Sequence, residues 1–474
     1  MSLRVYDRRQ RKKLPFEPVR PNKVGMYVCG MTVQDKPHVG HMRYAVAGDV
    51  IRRYLESKGF EVTYVTNFTD IDDRIIDRAA KEGIPFTEVS ERNIAAFMFY
   101  ADLLNIKRAS SYPRATAHIP EILALIQRLI EKRHAYAAGA DVYFDVRSYP
   151  KYGELSGRKL DDLRSGVRIE VGEAKRDPLD FTLWKGAKPG EPSWPSPWGP
   201  GRPGWHIECS AMAMKYLGET FDFHGGGQDL VFPHHENEIA QSESATGKVF
   251  ARYWTENGLV LLRGSKMSKS EQHFFLIEDV AKRVEPGVIR FYLQSTHYRS
   301  PIEWNEERLR EAGIAYGRLR AALETGEKEG AGSSGSTEGG KPKGLLAEAM
   351  KAEKLFESSM QDDFNSAKAQ GHLFDLAKAI NRVAESDRHS GSDHAALPEA
   401  ARTLRRLGET LGLFWEGKVL EETVPEDVQG IVRQRDEARL QKQWQRADEL
   451  RDQILALGYV LEDQKGGTRA RRKP

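Results

Sequence analysis

The chain has 474 residues, enough for about three domains of ordinary size. Charged residues make up 30% of it and the formal net charge is +3, so the overall charge neither indicates nor excludes a nucleic-acid partner. Only two cysteines occur, Cys29 and Cys209, which excludes a disulfide-built secreted scaffold. No apolar run approaches the roughly 20 residues of a membrane-spanning helix, and the basic N-terminal stretch lacks the apolar core of a signal peptide. We therefore expect a cytoplasmic protein with no membrane partner.

The N-terminal region predicts a strand, a helix and a second strand in succession. Residues 23–29 are mostly apolar, apolar residues between 46 and 55 recur at helical spacing, and residues 62–66 are rich in β-branched side chains. Such a unit forms a parallel sheet with a right-handed crossover, and ligands of these sheets bind beyond the carboxyl ends of the strands. The residues at those ends, or in the loops after them, are Cys29, His38, His41 and Thr69.

The remainder of the chain divides by composition. Segment 186–204 is rich in proline, glycine and tryptophan and predicts an ordered loop or a weak hairpin. Residues 326–344 are rich in glycine and serine and predict a flexible linker. Apolar positions at helical spacing then predict a helical bundle over 345–421. Region 422–474 is strongly charged and ends in a basic tail, and Trp444 within it is expected to pack in a core rather than to stack on a base.

A first motif with chemical meaning lies between the first strand and its helix. It reads Pro37-His38-Val39-Gly40-His41. A helix N-terminus attracts phosphate through its free N–H groups and its dipole, the glycine lets a purine approach the backbone, and the two imidazoles can donate hydrogen bonds to phosphate oxygens. Taken alone, the motif is equally consistent with two loop histidines that meet by chance.

A second motif follows Gly264 on a predicted loop and reads Lys266-Met267-Ser268-Lys269-Ser270. Its two lysines can each reach a polyphosphate as point charges. In isolation, this pattern is more typical of an ordinary solvated basic loop.

Together the two motifs resemble the paired signature of the class I aminoacyl-tRNA synthetases, and the chain resembles the cysteinyl-tRNA synthetase family over nearly its full length. The matching stretches are Tyr27-Val28-Cys29-Gly30, Asp70-Ile71-Asp72-Asp73, the run from Gly201 to Ser210, the run from His224 to Glu238, and Asp362-Asp363-Phe364-Asn365. The resemblance implies an α/β fold with a Rossmann-like parallel-sheet catalytic core over 1–325, interrupted by an insertion at about 105–220. It also implies a monomer that activates L-cysteine with ATP and Mg²⁺ and transfers it to tRNA(Cys).

A metal site is a further expectation. His234 and Glu238 are four residues apart on a predicted helix and so share a face. With Cys29 and Cys209 they make an acceptable zinc shell of two thiolates, an imidazole and a carboxylate. Spacing alone leaves His235 as an alternative ligand and leaves the cysteines as ordinary small apolar residues. The resemblance implies that the first four residues bind one Zn²⁺, which selects the thiolate of cysteine over the hydroxyl of serine.

The resemblance also assigns the remaining site residues. Catalysis would depend on phosphate stabilisation by His38, His41, Lys266 and Lys269. ATP would be held by Gly40, Gly226, Gly227, Asp229, Ser268 and Lys269, with Asp229 on the ribose hydroxyls. The substrate pocket would be formed by Thr69, Trp205, His206 and His224. In the C-terminal half, 345–421 would contact tRNA and 422–474 would bind the anticodon.

The same residues also bear on three alternative functions. A ligase that joins cysteinyl-adenylate to an amino sugar resembles the same core but lacks the anticodon region, and a non-catalytic RNA-binding paralogue would not need both ATP motifs. A zinc hydrolase lacks its general base here, because no His-Glu-x-x-His pattern occurs. The chain departs from the family at Met31, where proline is usual, at Glu271-Gln272-His273, at Ala470, where an aromatic is common, and between Asp73 and Arg78, which contain no lysine.

Overall fold

A computed structural model describes residues 2–160, 174–262, 265–266, 276–328, 343–385, 391–415, 426–464 and 467–472. The helices are α1 (Val39–Ser57), α2 (Asp73–Glu82), α3 (Phe86–Leu103), α4 (Ile119–Glu131), α5 (Trp205–Leu217), α6 (Glu236–Thr246), α7 (Ile277–Ala281), α8 (Pro286–Leu293), α9 (Glu306–Lys328), α10 (Gly344–Met360), α11 (Ser366–Ala384), α12 (Gly391–Ala395), α13 (Leu397–Thr410), α14 (Glu426–Leu440) and α15 (Trp444–Ala456). The strands are β1 (Arg4–Asp7), β2 (Lys12–Pro15), β3 (Lys23–Thr32), β4 (Glu61–Thr69), β5 (Ala135–Ala138), β6 (Asp141–Phe144), β7 (Phe181–Gly186), β8 (Gly201–Pro203), β9 (Phe221–Gly227), β10 (Ala251–Asn257), β11 (Val260–Leu262), β12 (Ser265–Lys266), β13 (Ile302–Glu303), β14 (Tyr459–Gln464) and β15 (Gly467–Arg472). Two compact units result, one of residues 1–280 with 284–417 and one of 281–283 with 418–474.

A four-stranded parallel sheet forms the centre of the first unit, in the order β10-β9-β3-β4. The predicted strand–helix–strand unit is confirmed as β3, α1 and β4. Helix α1 begins seven residues before the predicted apolar stripe, because the His38 side chain caps its first turn. The helix ends where Gly59 adopts a positive φ of 85°.

Buried charges fasten α1 to the rest of the unit. The Arg43 side chain donates hydrogen bonds to the carbonyl oxygens of Gly258, Leu293 and Ser300. Farther along the helix, Asp49 pairs with Arg290, and both side chains are almost fully buried. The helix that begins at the phosphate motif is therefore held along its length by specific polar contacts rather than by apolar packing alone.

An antiparallel sheet of four strands, β5-β6-β7-β8, makes up the insertion. Strands β7 and β8 pair, so segment 186–204 is a hairpin connection. Its tight closure requires Gly201, since a Cβ there would lie 2.3 Å from Nε1 of the buried Trp184. The tryptophans of this region thus belong to an ordered core.

Helices α9 to α13 form the predicted bundle. The apolar positions expected to share a face are buried at Leu373, Leu376, Ile380, Val383, Leu404, Leu407 and Leu411. Helix α9 continues to Lys328, inside the range 326–344 predicted to be a linker. Residues 329–342 lie outside the described residues. Among the residues that are described, no helix is long and apolar enough to cross a membrane.

The second unit contains α14, α15 and the β14–β15 hairpin, around a small core of Val428, Val432, Ile454, Tyr459 and Ala470. The prediction that Trp444 packs in a core is wrong, because its side chain is 60% exposed. Trp444 shares the spacing of the buried residues Ala447 and Leu450, but it is the first residue of α15. Spacing identifies a helix face and does not indicate how far along the helix that face is covered.

Candidate active site and metal centre

One cleft brings the predicted phosphate and metal residues together. Its lining includes Cys29, His38, Gly40, His41, Trp205, Gly227 and Asp229. All of them except Trp205 end or follow strands β3 and β9 of the parallel sheet or lie at the start of α1, and such strand ends meet at the same edge. Trp205 begins α5, after strand β8 of the antiparallel sheet. His38, Gly40 and His41 of the first motif therefore share one solvent-accessible space with Cys29 of the predicted metal site.

Backbone N–H groups fix which ring nitrogen of each histidine of the first motif carries the proton. His38 Nδ1 accepts a hydrogen bond from the Gly40 N–H, and His41 Nδ1 accepts one from the His38 N–H. The rings stack with centroids 3.7 Å apart. Burial, together with the neighbouring His38, lowers the pKa of His41 well below its ordinary value. Both rings must therefore be neutral and carry their proton on Nε2, which makes each a hydrogen-bond donor.

The second motif is described only at its first residue. Lys266 ends β12, which pairs with β11 through Leu261. Ser268 and Lys269 lie outside the described residues. On the far side of the motif, Leu276 forms a bridge to His38, and Ile277 N–H donates to the Pro37 carbonyl. The segment that follows the second motif thus returns directly to the first motif.

Four donor atoms of the predicted metal site converge in the interior. Cys29, Cys209, His234 and Glu238 each offer one atom, and all four atoms lie within 4.8 Å of one another. Cys29 Sγ lies 3.3 Å from Glu238 Oε1, and His234 Nε2 lies 3.1 Å from the same oxygen. The four residues come from β3, from α5, from a π-helical turn at Val231–His235 and from α6.

The local backbone explains how Cys29 reaches this position. Its strand carries an irregularity between Val28 and Met31, where the pairing with β4 shifts register. Gly30 approaches β4 so closely that a Cβ there would lie 1.7 Å from the Asn67 carbonyl oxygen, and its N–H donates to Asn67 Oδ1. A bulge of this kind re-aims the neighbouring side chain, so the glycine is a geometric requirement of the site.

Burial and neighbouring charges set the protonation of the four donors in the absence of a cation. Burial raises the pKa of both the Cys29 and the Cys209 thiols, and Glu238 adds to the effect. Burial, partly offset by Glu238, lowers the pKa of His234 well below its ordinary value. Glu238 remains ionised, because the adjacent His224 and His234 outweigh burial and lower its pKa to about 2. A divalent cation would oppose the thiol shifts directly, since metal binding favours thiolates.

Three further histidines surround these donors. His206 Nδ1 lies 2.9 Å from His234 Nδ1, and His224 Nε2 lies 2.8 Å from Glu238 Oε2. His235 Nδ1 lies 2.8 Å from Glu256 Oε1, while its buried Nε2 has no partner among the described residues. His235 also belongs to a second group of four close donors with Cys29, His224 and Glu238. The structure therefore also brings His235, the alternative ligand left open by spacing, within reach of a metal ion.

Several predicted site residues lie behind the cleft rather than in its lining. Thr69 is buried and donates its hydroxyl to Glu208 Oε2 at 2.9 Å. His224 is fully buried and stacks on Trp254, with ring centroids 4.4 Å apart. Gly226 faces inward, where a Cβ would come within 3.0 Å of the His235 ring. Its lack of a side chain makes room for that imidazole, whereas Gly227 and Asp229 do line the cleft.

Arg74 is also a site residue, although no motif in the sequence marked it as one. It lines the cleft, and its guanidinium lies over the Trp205 ring at 5.5 Å. The position was noted only because it lacks a lysine. The available signal was that Arg74 lies two residues after Asp72, the N-cap of a helix that begins just beyond the end of β4.

Comparisons with known proteins agree along the whole chain. Residues 15–313 match the family model described as tRNA synthetases class I (C) catalytic domain, 355–415 match the DALR domain, and 421–471 match the cysteinyl-tRNA ligase anticodon binding domain. A cysteine–tRNA ligase of Geobacter metallireducens is 48% identical over 484 aligned residues, which cover 99% of each chain. One of Pseudomonas aeruginosa is 49% identical over 478 aligned residues, which cover 98% of each.

Solved structures show the same fold at low identity. A methionyl-tRNA synthetase of Mycobacterium tuberculosis in complex with methionyl-adenylate superposes with a TM-score of 0.62 and 16% sequence identity. The match covers 82% of this chain and 91% of that one. A putative arginyl-tRNA synthetase of Campylobacter jejuni gives a TM-score of 0.58 at 13% identity, over 83% and 94% of the two chains. The predicted α/β class and parallel-sheet core are thereby confirmed.

Proposed function

Because this chain belongs to the cysteinyl-tRNA synthetase family and ligates cysteine to tRNA(Cys) with ATP, we propose that its four-donor cluster holds Zn²⁺ and selects the amino acid. The observation that carries the proposal is the convergence of Cys29, Cys209, His234 and Glu238 beside the ATP motif.

The donor set fits zinc on chemical grounds. Two thiols, one imidazole and one carboxylate are the ligand types of zinc sites, and soft sulfur ligands disfavour magnesium or calcium. The His206–His234 contact also fits, because a metal-ligating imidazole characteristically uses its other nitrogen in a hydrogen bond. Without a cation, the cluster consists of one buried carboxylate beside two protonated thiols and a neutral imidazole.

Selection of cysteine follows from the properties of sulfur. When bound, zinc supplies a Lewis acid that favours a thiolate ligand strongly over a hydroxyl. An apolar pocket alone discriminates such close analogues weakly, and enzymes with that limitation need hydrolytic editing. Trp205 forms the adjacent wall, with its ring centroid 4.6 Å from that of His234. The pocket thus offers the substrate side chain an aromatic surface beside the donor atoms.

Activation requires positioning more than a protein nucleophile. A carboxylate oxygen of cysteine attacks the α-phosphorus of ATP, and the bond from that phosphorus to the pyrophosphate oxygen breaks with its electron pair. The Nε2–H groups of His38 and His41 donate to phosphate oxygens, and the N-terminus of α1 adds its dipole. Lys266, Ser268 and Lys269 bind the polyphosphate from the second motif, with Mg²⁺ held mainly by phosphate and water. Gly40 and Gly227 make room for the nucleotide in the cleft, and Asp229 binds its ribose. The predicted contact of Gly226 with the nucleotide is dropped, because this glycine faces the His235 ring instead.

Transfer to tRNA then uses the C-terminal half. We assign 1–325 to catalysis, 345–421 to contacts with the tRNA stem and 422–474 to the anticodon, with 326–344 as the connection. Thr69, His206 and His224 hold the substrate pocket in shape. The protein acts as a cytoplasmic monomer. A ligase for amino sugars is disfavoured, because residues 421–471 match an anticodon-binding domain.

The test compares cysteine with serine in ATP–pyrophosphate exchange by the purified, zinc-loaded protein. Exchange should depend on cysteine and be nearly silent with serine, and zinc should measure one per chain by elemental analysis. Equal exchange rates with the two amino acids would overturn the proposed selection. Charging of tRNA(Cys) in the same preparation separates ligation to tRNA from activation alone.

A further inference from the structure

The cleft holds few positive charges for a reaction between anions. Cysteine brings a carboxylate and ATP brings a polyphosphate, while His38 and His41 are neutral donors. Among the cleft-lining residues that the structure describes, Arg74 is the only arginine or lysine. Whatever the second motif contributes to the polyphosphate, the described lining has one permanent cation.

Neighbouring groups hold the Arg74 guanidinium in a defined orientation. Its Nε and Nη2 donate to the Asp72 carboxylate, at 2.8 and 3.4 Å, and Nη2 also donates to Thr32 Oγ1 at 3.3 Å. One face of the group lies over the Trp205 ring at 5.5 Å. None of these bonds uses Nη1. The side chain is 43% exposed, so a ligand can reach it without moving the protein.

One side chain, that of Trp205, connects Arg74 with the metal donors. Trp205 contacts both Arg74 and His234, so its indole spans from the guanidinium to the donor cluster. In cysteine, only three bonds separate the sulfur from the carboxyl carbon. A substrate whose sulfur reaches the cluster and whose body lies along the indole directs its carboxylate toward Arg74. After activation the carboxyl group is bonded through oxygen to the α-phosphorus as a mixed anhydride, and the negative charge of the reacting centre lies on the phosphate oxygens.

We propose that Arg74 binds the anionic oxygens of the reacting centre, namely the carboxylate of cysteine before activation and the phosphate of cysteinyl-adenylate after it. A planar guanidinium suits both groups, since each presents two oxygens in one plane. Arg74 keeps its proton throughout and transfers none. The proposal rests on the proposed function, because it takes cysteine and its adenylate as the ligands of the cleft.

The alternative role for Arg74 is structural. It could serve only to close the first turn of α2 through Asp72, the N-cap of that helix. A structural role predicts equal effects on every ligand, whereas a charge contact predicts effects only on ligands that carry the anion. The test therefore compares ligands that differ in that one group.

The experiment measures binding of three ligands to zinc-loaded wild-type protein and to Arg74→Gln. The ligands are cysteine, cysteinol, which lacks the carboxylate, and cysteinol-adenylate, which carries only the phosphate. Loss of a charge-assisted contact should lower the affinities for cysteine and cysteinol-adenylate roughly 10- to 100-fold. The affinity for cysteinol should stay within about twofold of the wild-type value. Loss for only one of the two anions would support the contact with that anion and overturn the proposed contact with the other. Equal weakening of cysteinol, or no change for either anion, would overturn the proposal.

Two variants control for folding and for charge. Arg78→Gln removes an arginine of similar exposure from the same helix, where it pairs with Glu82, and should leave all three affinities unchanged. Arg74→Lys keeps the charge and should recover part of the lost affinity. Zinc content of each variant shows whether the cluster is intact. If wild-type protein failed to exchange pyrophosphate with cysteine, the proposed function would fail, and these affinities would still report separately on Arg74.

Discussion

The Nδ1 atoms of His206 and His234 lie 2.9 Å apart, so one of them must donate a proton and the other must accept it. A His234 that offers its Nε2 lone pair to a metal must carry the proton on Nδ1 and donate it to His206. His206 then accepts at Nδ1 and keeps its own proton on Nε2. Burial lowers the pKa of His206 to about 4, which keeps it a neutral acceptor near neutral pH.

This contact predicts that His206 supports zinc affinity without binding the metal. His206→Ala should weaken zinc binding about 10- to 100-fold, the usual effect of removing the partner of a ligating histidine. The measurement is competition for zinc with a chromophoric chelator. Trp205→Phe, which changes the adjacent ring and leaves the imidazole pair, should bind zinc normally. Unchanged zinc affinity in His206→Ala would contradict the assigned proton arrangement.

The cysteines should behave as one unit. Cys209→Ser replaces a thiolate donor by a hydroxyl that stays protonated, so zinc content and cysteine affinity should fall together, and Cys29→Ser should match it. Elemental analysis and cysteine titration of the same samples provide the comparison. Stoichiometric zinc at normal affinity in either variant would show that the donor set is misassigned.

Stability should depend on the buried pair of Asp49 and Arg290. Burial opposes ionisation of Asp49, but Arg290 and Arg53 hold its pKa below the ordinary value of 3.8. Asp49→Asn leaves Arg290 buried without its counter-charge, and should lower the free energy of unfolding at pH 7 by about 3–5 kcal/mol. Urea unfolding measures this loss. Arg402→Ala, which breaks an exposed pair with Glu399, should cost less than about 1 kcal/mol.

The same pair has a signed pH dependence. A carboxylate whose pKa is lower in the folded state contributes stability that is complete above its unfolded pKa and is lost as the pH falls through the folded value. Wild-type protein should therefore lose this contribution only below about pH 4, whereas Asp49→Asn lacks it at every pH. The gap in unfolding free energy should shrink as the pH is lowered into that range. A constant gap would mean that the charge of Asp49 is not what stabilises the fold.

Exposure of Trp444 predicts a role in tRNA binding. Its ring is 60% exposed in a unit whose sequence matches an anticodon-binding domain, and stacking on a base is worth about 1–3 kcal/mol. Trp444→Ala should weaken tRNA(Cys) binding accordingly and leave ATP–pyrophosphate exchange unchanged. Leu440→Ala, at a site 85% exposed, serves as the control for loss of apolar surface. Equal tRNA affinity in Trp444→Ala and wild type would rule out stacking.

The sequence by itself determined the strand–helix–strand unit, the apolar faces of the bundle and the family. Hydrophobic period reports which face of an element is buried, and long specific runs such as 201–210 and 224–238 leave little room for another family. The sequence also indicated that the two cysteines do not belong to a disulfide scaffold, and both are free and buried in the structure.

The tertiary structure decided which residues face one another. It placed Arg74 over Trp205, paired His235 with Glu256, turned Gly226 toward the His235 ring and left Trp444 exposed. These contacts join elements far apart in the chain, and the period of one element contains no information about the element packed against it. Cys29 and Cys209 illustrate the limit: the sequence marks both as chemically significant, but only folding of β3 and α5 brings their sulfurs within reach of one ion.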